Sequence, residues 1–212
     1  MKIFLAGATG RVAKSTIEGL VRRGHTVYAG ARNPEQVKSS EFVIPVHLDL
    51  HDPVEELEAL VEGCDAVYFL AGSRGKDLLQ TDAFGAVKLI QATERAGISR
   101  FVMLSFLFSL RPEKWEEDPG LRGILNYDIA KFFADKWLVN NTELNYTIVQ
   151  PGFLKEGEGT GNITLFPRQA AATLIPDVAE VFCEVLEREN TYESLVPFTS
   201  GETPVVDALE LL

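Results

Sequence analysis

The chain has 212 residues, 46% hydrophobic and 24% charged, which suffices for one domain with a proper core and not for two comfortable ones. Its formal net charge of -11 repels phosphate backbones and anionic bilayers, so nucleic acid and membrane surfaces are poor partners and any bound anion must be held locally. Cys64 and Cys183 lie far apart in apolar contexts and read as small buried side chains, and the opening MKIFLAGATG is too short an apolar run for a secretion signal or a membrane span. A reducing, cytoplasmic setting is expected.

Short apolar runs then alternate with amphipathic stretches. KIFLA precedes a helical pattern near Val12 to Arg23, TVYAGA a short helix after Pro34, and FVIPVHL the stretch Val54 to Glu62. AVYFLA precedes a longer helix from about Thr81 to Ala96, RFVMLS leads into the loop and helix that hold Tyr127, and NYTIVQ closes the series. Continuous apolar runs each followed by a helix predict parallel strands buried on both faces, that is, an α/β doubly wound sheet of Rossmann type in one domain spanning 1–212. Gly24, Gly63 and Gly97 fall where helices must stop, at positions suited to the left-handed cap conformation. After Pro151 the chain turns glycine-rich and polar; this lobe, about 152–212, is predicted to fold over the carboxyl ends of the strands, where open α/β sheets bind ligands.

Gly7-Ala8-Thr9-Gly10-Arg11-Val12-Ala13 follows the first strand directly and opens the first helix. In a dinucleotide fold such glycines permit the tight turn and the close approach of backbone to pyrophosphate, and the helix supplies free N–H groups; Ala13 replaces the third glycine, where a small residue suffices for helix–strand packing. The overlapping ATGRVAKS has the length of a triphosphate loop, but alanines stand at both of its obligatory glycines. The second strand ends without an acid and is followed at once by Arg32, which favours the 2′-phosphate of NADP(H) over the ribose hydroxyl of NAD(H), with Arg11 at the helix mouth as a second clamp. NAD(H) stays open as the alternative cofactor.

Tyr127 and Lys131 lie four positions apart in ILNYDIAKFFADKWL, one helical turn from each other. On a helical wheel Ala130, Phe133, Ala134, Trp137 and Leu138 form an apolar face and Asp128, Asp135 and Lys136 a polar one, with Tyr127 and Lys131 on the border. That border suits a tyrosine reaching a cleft and equally one that covers the edge of the core. Ser105, at the carboxyl end of a central strand, favours the catalytic reading. His25, His47 and His51 lack metal-ligand spacing, and no metal site is expected.

With Gly7 to Ala13, Arg32, Asp49-Leu50, Ser105, Tyr127 to Lys131 and Pro151-Gly152-Phe153-Leu154 in this order, the chain resembles the atypical short-chain dehydrogenases/reductases. It looks most like the small NAD(P)-binding members described as epimerase-like or flavin-reductase-like. The resemblance implies that Tyr127 is the general acid or base, that Lys131 holds the nicotinamide ribose and lowers the tyrosine's pKa, and that Ser105 bonds the substrate oxygen. It further implies that Asp49 and Leu50 contact adenine, that Ala71 and Gly72 border the ribose, and that Pro151, Gly152 and Phe153 meet the nicotinamide amide. Two features depart from the family pattern. Gln150 stands where arginine commonly precedes Pro-Gly, and a long segment, 106–123, separates Ser105 from the tyrosine helix. Phe106, Phe108 and Trp115 make that segment either a lid or an exposed cap. The expected function is NADP(H)-dependent oxidoreduction of a small carbonyl or quinone-like substrate; a non-catalytic NAD(P) sensor and a flavin reductase-like enzyme are the competitors. A homo-oligomer is compatible with the sequence.

Overall fold

The apolar runs become buried parallel strands. In the computed structural model, which describes residues 1–212, these are β1 (Lys2–Ala6), β2 (Thr26–Ala31), β3 (Val43–His47), β4 (Ala66–Phe69), β5 (Arg100–Leu104) and β6 (Asn145–Pro151). Between them run α1 (Arg11–Arg22), α2 (Val54–Val61), α3 (Ala86–Arg95) and, after the short α4 (Pro112–Glu117) and α5 (Pro119–Arg122), α6 (Leu125–Asn141). The stretch after Pro34 makes only a 3₁₀ turn. Gly24, Gly63 and Gly97 have φ of +84°, +74° and +71°, the left-handed conformation that lets each helix stop before the next strand.

β1 pairs with β2 on one side and β4 on the other, all parallel, so the chain reverses its direction of winding at β1 and opens a crevice above it. One apolar core fills the face covered by α1, and a second fills the face covered by α2, α3 and α6.

The chain beyond Pro151 behaves differently from expectation. Only β7 (Phe153–Lys155) and β9 (Ala172–Leu174), a two-stranded parallel ribbon, lie beyond the strand ends. β10 (Ser194–Ser200) pairs parallel with β6, while β8 (Asn162–Leu165) and β11 (Thr203–Pro204) add antiparallel strands to give a nine-stranded sheet. α7 (Ile175–Glu184) packs against α1, with Gly19 so close to Cys183 that a Cβ there would stand 2.5 Å from its sulfur; α8 (Val205–Leu209) completes the same layer. Apolar LVPFTS gains more by burial as a strand than as a cover.

Two further elements depart from expectation. The helix foreseen from Thr81 begins instead as a π-helical segment, Leu78–Gly85, before α3. Widened turns of this kind often sit at functional sites, and this one turns Asp82 inward to 1% exposure. On α6 the buried face is turned from the expected one: Ala130, Ala134 and Leu138 are buried as expected, but Asp128, Lys131 and Asp135 join them, whereas Phe133 is 62% exposed and Trp137 also faces outward.

Arg100, at the start of β5, ties the sheet to the end of α7. Its guanidinium donates to the carbonyls of Leu186, Val185 and Asn145 at 3.2, 2.5 and 2.6 Å and to Thr147 Oγ1 at 2.8 Å, and lies 4.6 Å over the Tyr192 ring. A cation at a helix C-terminus answers carbonyls that have no partner further along the chain. Arg100→Ala strands these acceptors in a dry site and is expected to cost about 3 kcal/mol or more in denaturant unfolding; a loss below about 1 kcal/mol would contradict the account.

Candidate active site

The crevice above β1 is a cavity of about 470 Å³, large enough for a dinucleotide to lie along it. Gly7 makes its floor possible: φ is +91°, its N–H bonds Gly30 O at 2.9 Å, and a Cβ would stand 2.6 Å from the backbone of Ala71. The first N–H groups of α1, at Arg11, Val12 and Ala13, have no backbone acceptor, no side chain caps them, and no acid occupies the first turn. Three aligned orphan donors and a helix dipole form a site for an anion. A buried carboxylate oxygen, Asp82 Oδ1, is also without a partner in the crevice wall, while Oδ2 accepts the Ser73 N–H at 3.0 Å. Donors for phosphate and an acceptor for a hydroxyl in the wall of one crevice fit an NAD(P) cofactor.

Of the residues foreseen for the cofactor, Gly7, Thr9, Gly10, Arg11, Val12, Arg32, Asp49, Leu50, Ala71 and Gly72 line this crevice. Ala8 is buried behind it, as its place in the turn requires. Arg11 is tied to Glu156 at 3.1 Å in an exposed pair, while Arg32 carries no ion pair. Arg74 and Lys76, which belong to none of the motifs above, bring two more cations to the same crevice. The only hint of them was their place in SRGK immediately after Ala71-Gly72. Asp49 accepts the N–H of His51 at 2.9 Å, and His51 Nε2 lies 2.7 Å from Asp77, which fixes the loop edge on the adenine side expected from the resemblance.

A second, mostly apolar cavity of about 170 Å³ adjoins the first. Tyr127, Leu104 and Leu154 belong to the walls of both. Ser105, Pro151, Gly152 and Phe153 line the second cavity and not the crevice. Its roof comes from the 106–123 segment, where Phe106, Leu107, Phe108, Trp115 and Leu121 form a small core of their own and Trp115 Nε1 donates to Phe108 O at 2.9 Å. Of the aromatic lid candidates only Phe106 reaches the cavity; Phe108 and Trp115 hold the cap together.

Behind Ser105 lies a buried polar network. Ser105 Oγ and Ser109 Oγ each donate to Asp135 Oδ2 at 2.5 Å, and Gln150 Nε2 donates to Ser109 Oγ at 2.6 Å. Gln150 thus faces inward to Ser109, and neither cavity has it in its wall. Lys131 is only 1% exposed, lines neither cavity, and holds its ammonium 5.3 Å over the Phe69 ring. Burial lowers its pKa, while the charges of Asp135 and Asp82 raise it.

The electrostatics of Tyr127 run opposite to the expectation that Lys131 would make it more acidic. Burial raises its pKa well above the ordinary phenol value, and the carboxylates of Asp82, Asp135 and Asp128 raise it further. The hydroxyl keeps its proton near neutrality, as a proton donor must. Burial also lifts Asp135 to about 6, against the lowering effects of Lys131 and the two serines, and lifts Asp128, whose oxygens have no hydrogen-bond partner, to about 7.

A Rossmann sheet with a glycine cradle, orphan helix N–H groups and cations around one crevice defines an NAD(P)-binding protein. The profile of the NAD(P)H-binding family matches residues 7–189, and the chain belongs to this family, of atypical short-chain dehydrogenase/reductase type. It is 34% identical over 220 residues to a Bacillus subtilis protein named an uncharacterized sugar epimerase, YhfK, with 100% of each chain covered. The crystal structure of the oxidoreductase ylbE from Lactococcus lactis superposes with a TM-score of 0.97 at 43% identity, covering 100% of this chain and 96% of that one. A short-chain dehydrogenase/reductase from Veillonella parvula in complex with NADP shares the fold at 17% identity, with a TM-score of 0.75 and 95% of each chain covered.

Asp128 offers a test of the electrostatics. Its folded pKa of about 7 lies above the ordinary 3.8, so below about pH 4 it is neutral in both states and contributes nothing. Between the two values the unfolded chain loses its proton first and stability falls as pH rises; above about pH 7 the full penalty is present. Asp128→Asn is expected to raise Tm by several degrees at pH 8 and leave it unchanged below pH 4, followed by scanning calorimetry. An equal or lower Tm at pH 8 would mean that the carboxylate is answered by a partner after all.

Proposed function

We propose that the protein is an NADP(H)-dependent oxidoreductase acting on a small, largely apolar carbonyl or quinone-like compound, with Tyr127 supplying the proton. The observation that carries this reading is the position of Tyr127 in the wall common to the two cavities, where a neutral phenol can address both. When bound, the nicotinamide supplies the hydride. The orphan N–H groups of α1 hold the diphosphate, Asp82 Oδ1 accepts a ribose hydroxyl, and Arg32, with Arg74 and Lys76 in the same crevice, receives the 2′-phosphate. Pro151, Gly152 and Phe153 form the floor against which substrate and nicotinamide meet, and Ser105 and Tyr127 are the hydroxyl-bearing side chains offered to a substrate oxygen. Asp49 and Leu50 face the adenine end, and Ala71 and Gly72 leave room for the ribose. Lys131 acts from behind, as a buried positive charge between Asp82 and Asp135.

The size and chemistry of the second cavity support a compact apolar substrate over a nucleotide sugar. At about 170 Å³ with no charged side chain in its wall, it offers nothing to neutralise a phosphate or to satisfy a ring of hydroxyls.

NADPH at about a hundred times its dissociation constant should stabilise the fold by roughly 2.7 kcal/mol, a thermal shift of several degrees. NADH at the same concentration should give less, and Arg32→Ala should erase the difference by weakening NADPH roughly 10–100-fold. An equal or greater shift with NADH refutes the preference. In an assay of NADPH consumption over aldehydes, quinones and flavins, Tyr127→Phe should lower kcat by roughly 10²–10⁴-fold. Unchanged turnover in the variant would assign hydride transfer without a tyrosine acid, as in flavin reduction, and coenzyme binding without any turnover would assign a sensor.

A further inference from the structure

We propose that Asp135 is a positioning residue that sets the hydrogen-bond polarity of Ser105, so that its ionised form makes the apolar cavity receptive to a substrate hydroxyl and its neutral form to a carbonyl oxygen. This rests on the reading that the cavity beside Tyr127 takes substrate.

A serine hydroxyl has one proton to give. Ser105 gives it to Asp135 Oδ2 at 2.5 Å, inside the protein and away from the cavity that Ser105 lines. The same oxygen takes the Ser109 proton, and Ser109 is held in that sense because its own oxygen already accepts the Gln150 amide. An ionised carboxylate only accepts, so as long as Asp135 is charged both serines must point their protons at it and Ser105 presents lone pairs to the cavity. A carbonyl oxygen placed there meets lone pairs, whereas an alcohol finds an acceptor. Taking up one proton from solvent changes the count. The neutral carboxyl donates to Ser105 Oγ, and the Ser105 O–H is released to rotate toward the cavity and donate to a carbonyl.

The charges around Asp135 make this proton exchange accessible. From α6 the Lys131 ammonium favours the ionised form, and Tyr127 and Asp128 stand nearer the start of the same helix; from the π-helical segment Asp82 shares Lys131 with it. The loop after β5 contributes the two serine hydroxyls, and β6 contributes uncharged Gln150. Burial outweighs the stabilising partners and places the titration at about 6, where a modest change of pH alters the population.

The test uses the full chain without coenzyme, so that nothing turns over. Asp135 is titrated through its ¹³C-labelled carboxyl by NMR, and dissociation constants are measured for the near-isosteric probes cyclohexanone and cyclohexanol from pH 5 to pH 8. The ratio of cyclohexanol to cyclohexanone dissociation constants should rise roughly tenfold as pH falls through the Asp135 midpoint, about one hydrogen bond's worth of discrimination. It should be independent of pH in Asp135→Asn and in Ser105→Ala. Ser109→Ala, which keeps the carboxylate and the fold should Asp135→Asn fail to fold, should move the Asp135 midpoint and the transition in the ratio upward together. A flat ratio in the wild type, or one that still follows pH in Asp135→Asn, overturns the proposal while leaving the cavity assignment intact. If neither probe binds at any pH although the Asp135 midpoint responds to Ser105→Ala, the cavity assignment itself fails and the proposal falls with it.

Discussion

Lys131 is an amine almost wholly removed from water, its pKa lowered by burial and supported by the charges of Asp135 and Asp82, and much of the site follows from the need to answer it. An ammonium group cannot remain charged in a dry interior without anions or dipoles close by. The answer comes from two elements far apart in sequence, Asp82 on the π-helical segment and Asp135 one turn further along α6. Each of those carboxylates is in turn incompletely satisfied: Asp82 keeps one oxygen free at the crevice and Asp135 one oxygen free in the interior. A charge cluster left short of partners is costly to stability and valuable for chemistry, because its remaining capacity is available to a ligand or a proton.

The turned face of α6 has the same cause. A helix has one inward face, and the face that brings Lys131, Asp135 and Asp128 inside must turn Phe133 and Trp137 outward. Pattern reasoning assigns aromatics to the core and carboxylates to solvent because that minimises transfer free energy for an average helix. Here the local requirement of the site overrides the average, and aromatic surface is left exposed on the outside of the helix. The widened turn at 78–85 is a second instance: a regular α-helix would present Asp82 differently, and the close approach of Gly85 to Leu50 leaves no room for a Cβ without displacement, 3.0 Å being the separation it would have.

These cases separate what the amino-acid order makes legible from what it conceals. The strand series, the helix-ending glycines and the Gly7 to Ala13 turn were all readable, because each depends on a local rule: apolar runs for buried parallel strands, φ above zero for a cap, a missing Cβ for close backbone approach. Arg32 was readable for the same reason, since its place relative to the strand end fixes its place at the crevice. Asp82 and Asp135 were not. Asp135 stands four residues after Lys131, a spacing that ordinarily marks an exposed ion pair, and Asp82 belongs to no motif at all. Their roles come from contacts across the fold. The place of the chain beyond Pro151 is concealed because its strand β10 reads like any other apolar run, and nothing in its composition says that it joins the sheet beside β6 and does not cover it.

The two cavities divide the labour by polarity, and this division resolves the conflict between the net charge of the chain and its ligand. A protein at -11 repels a dinucleotide phosphate at long range, yet within a Debye length the local field decides. Arg32, Arg74 and Lys76, with the orphan donors of α1, create a positive crevice in an otherwise acidic surface. Immediately beyond Tyr127 the wall becomes apolar and the only hydroxyls left are those of Tyr127 and Ser105. Water that enters the second cavity finds few partners there, so displacing it costs little, and an apolar substrate gains the full benefit of burial. On the proposed reading, charge recognition is thereby confined to the cofactor, and selection of the substrate falls to shape and to the polarity of two hydroxyl groups.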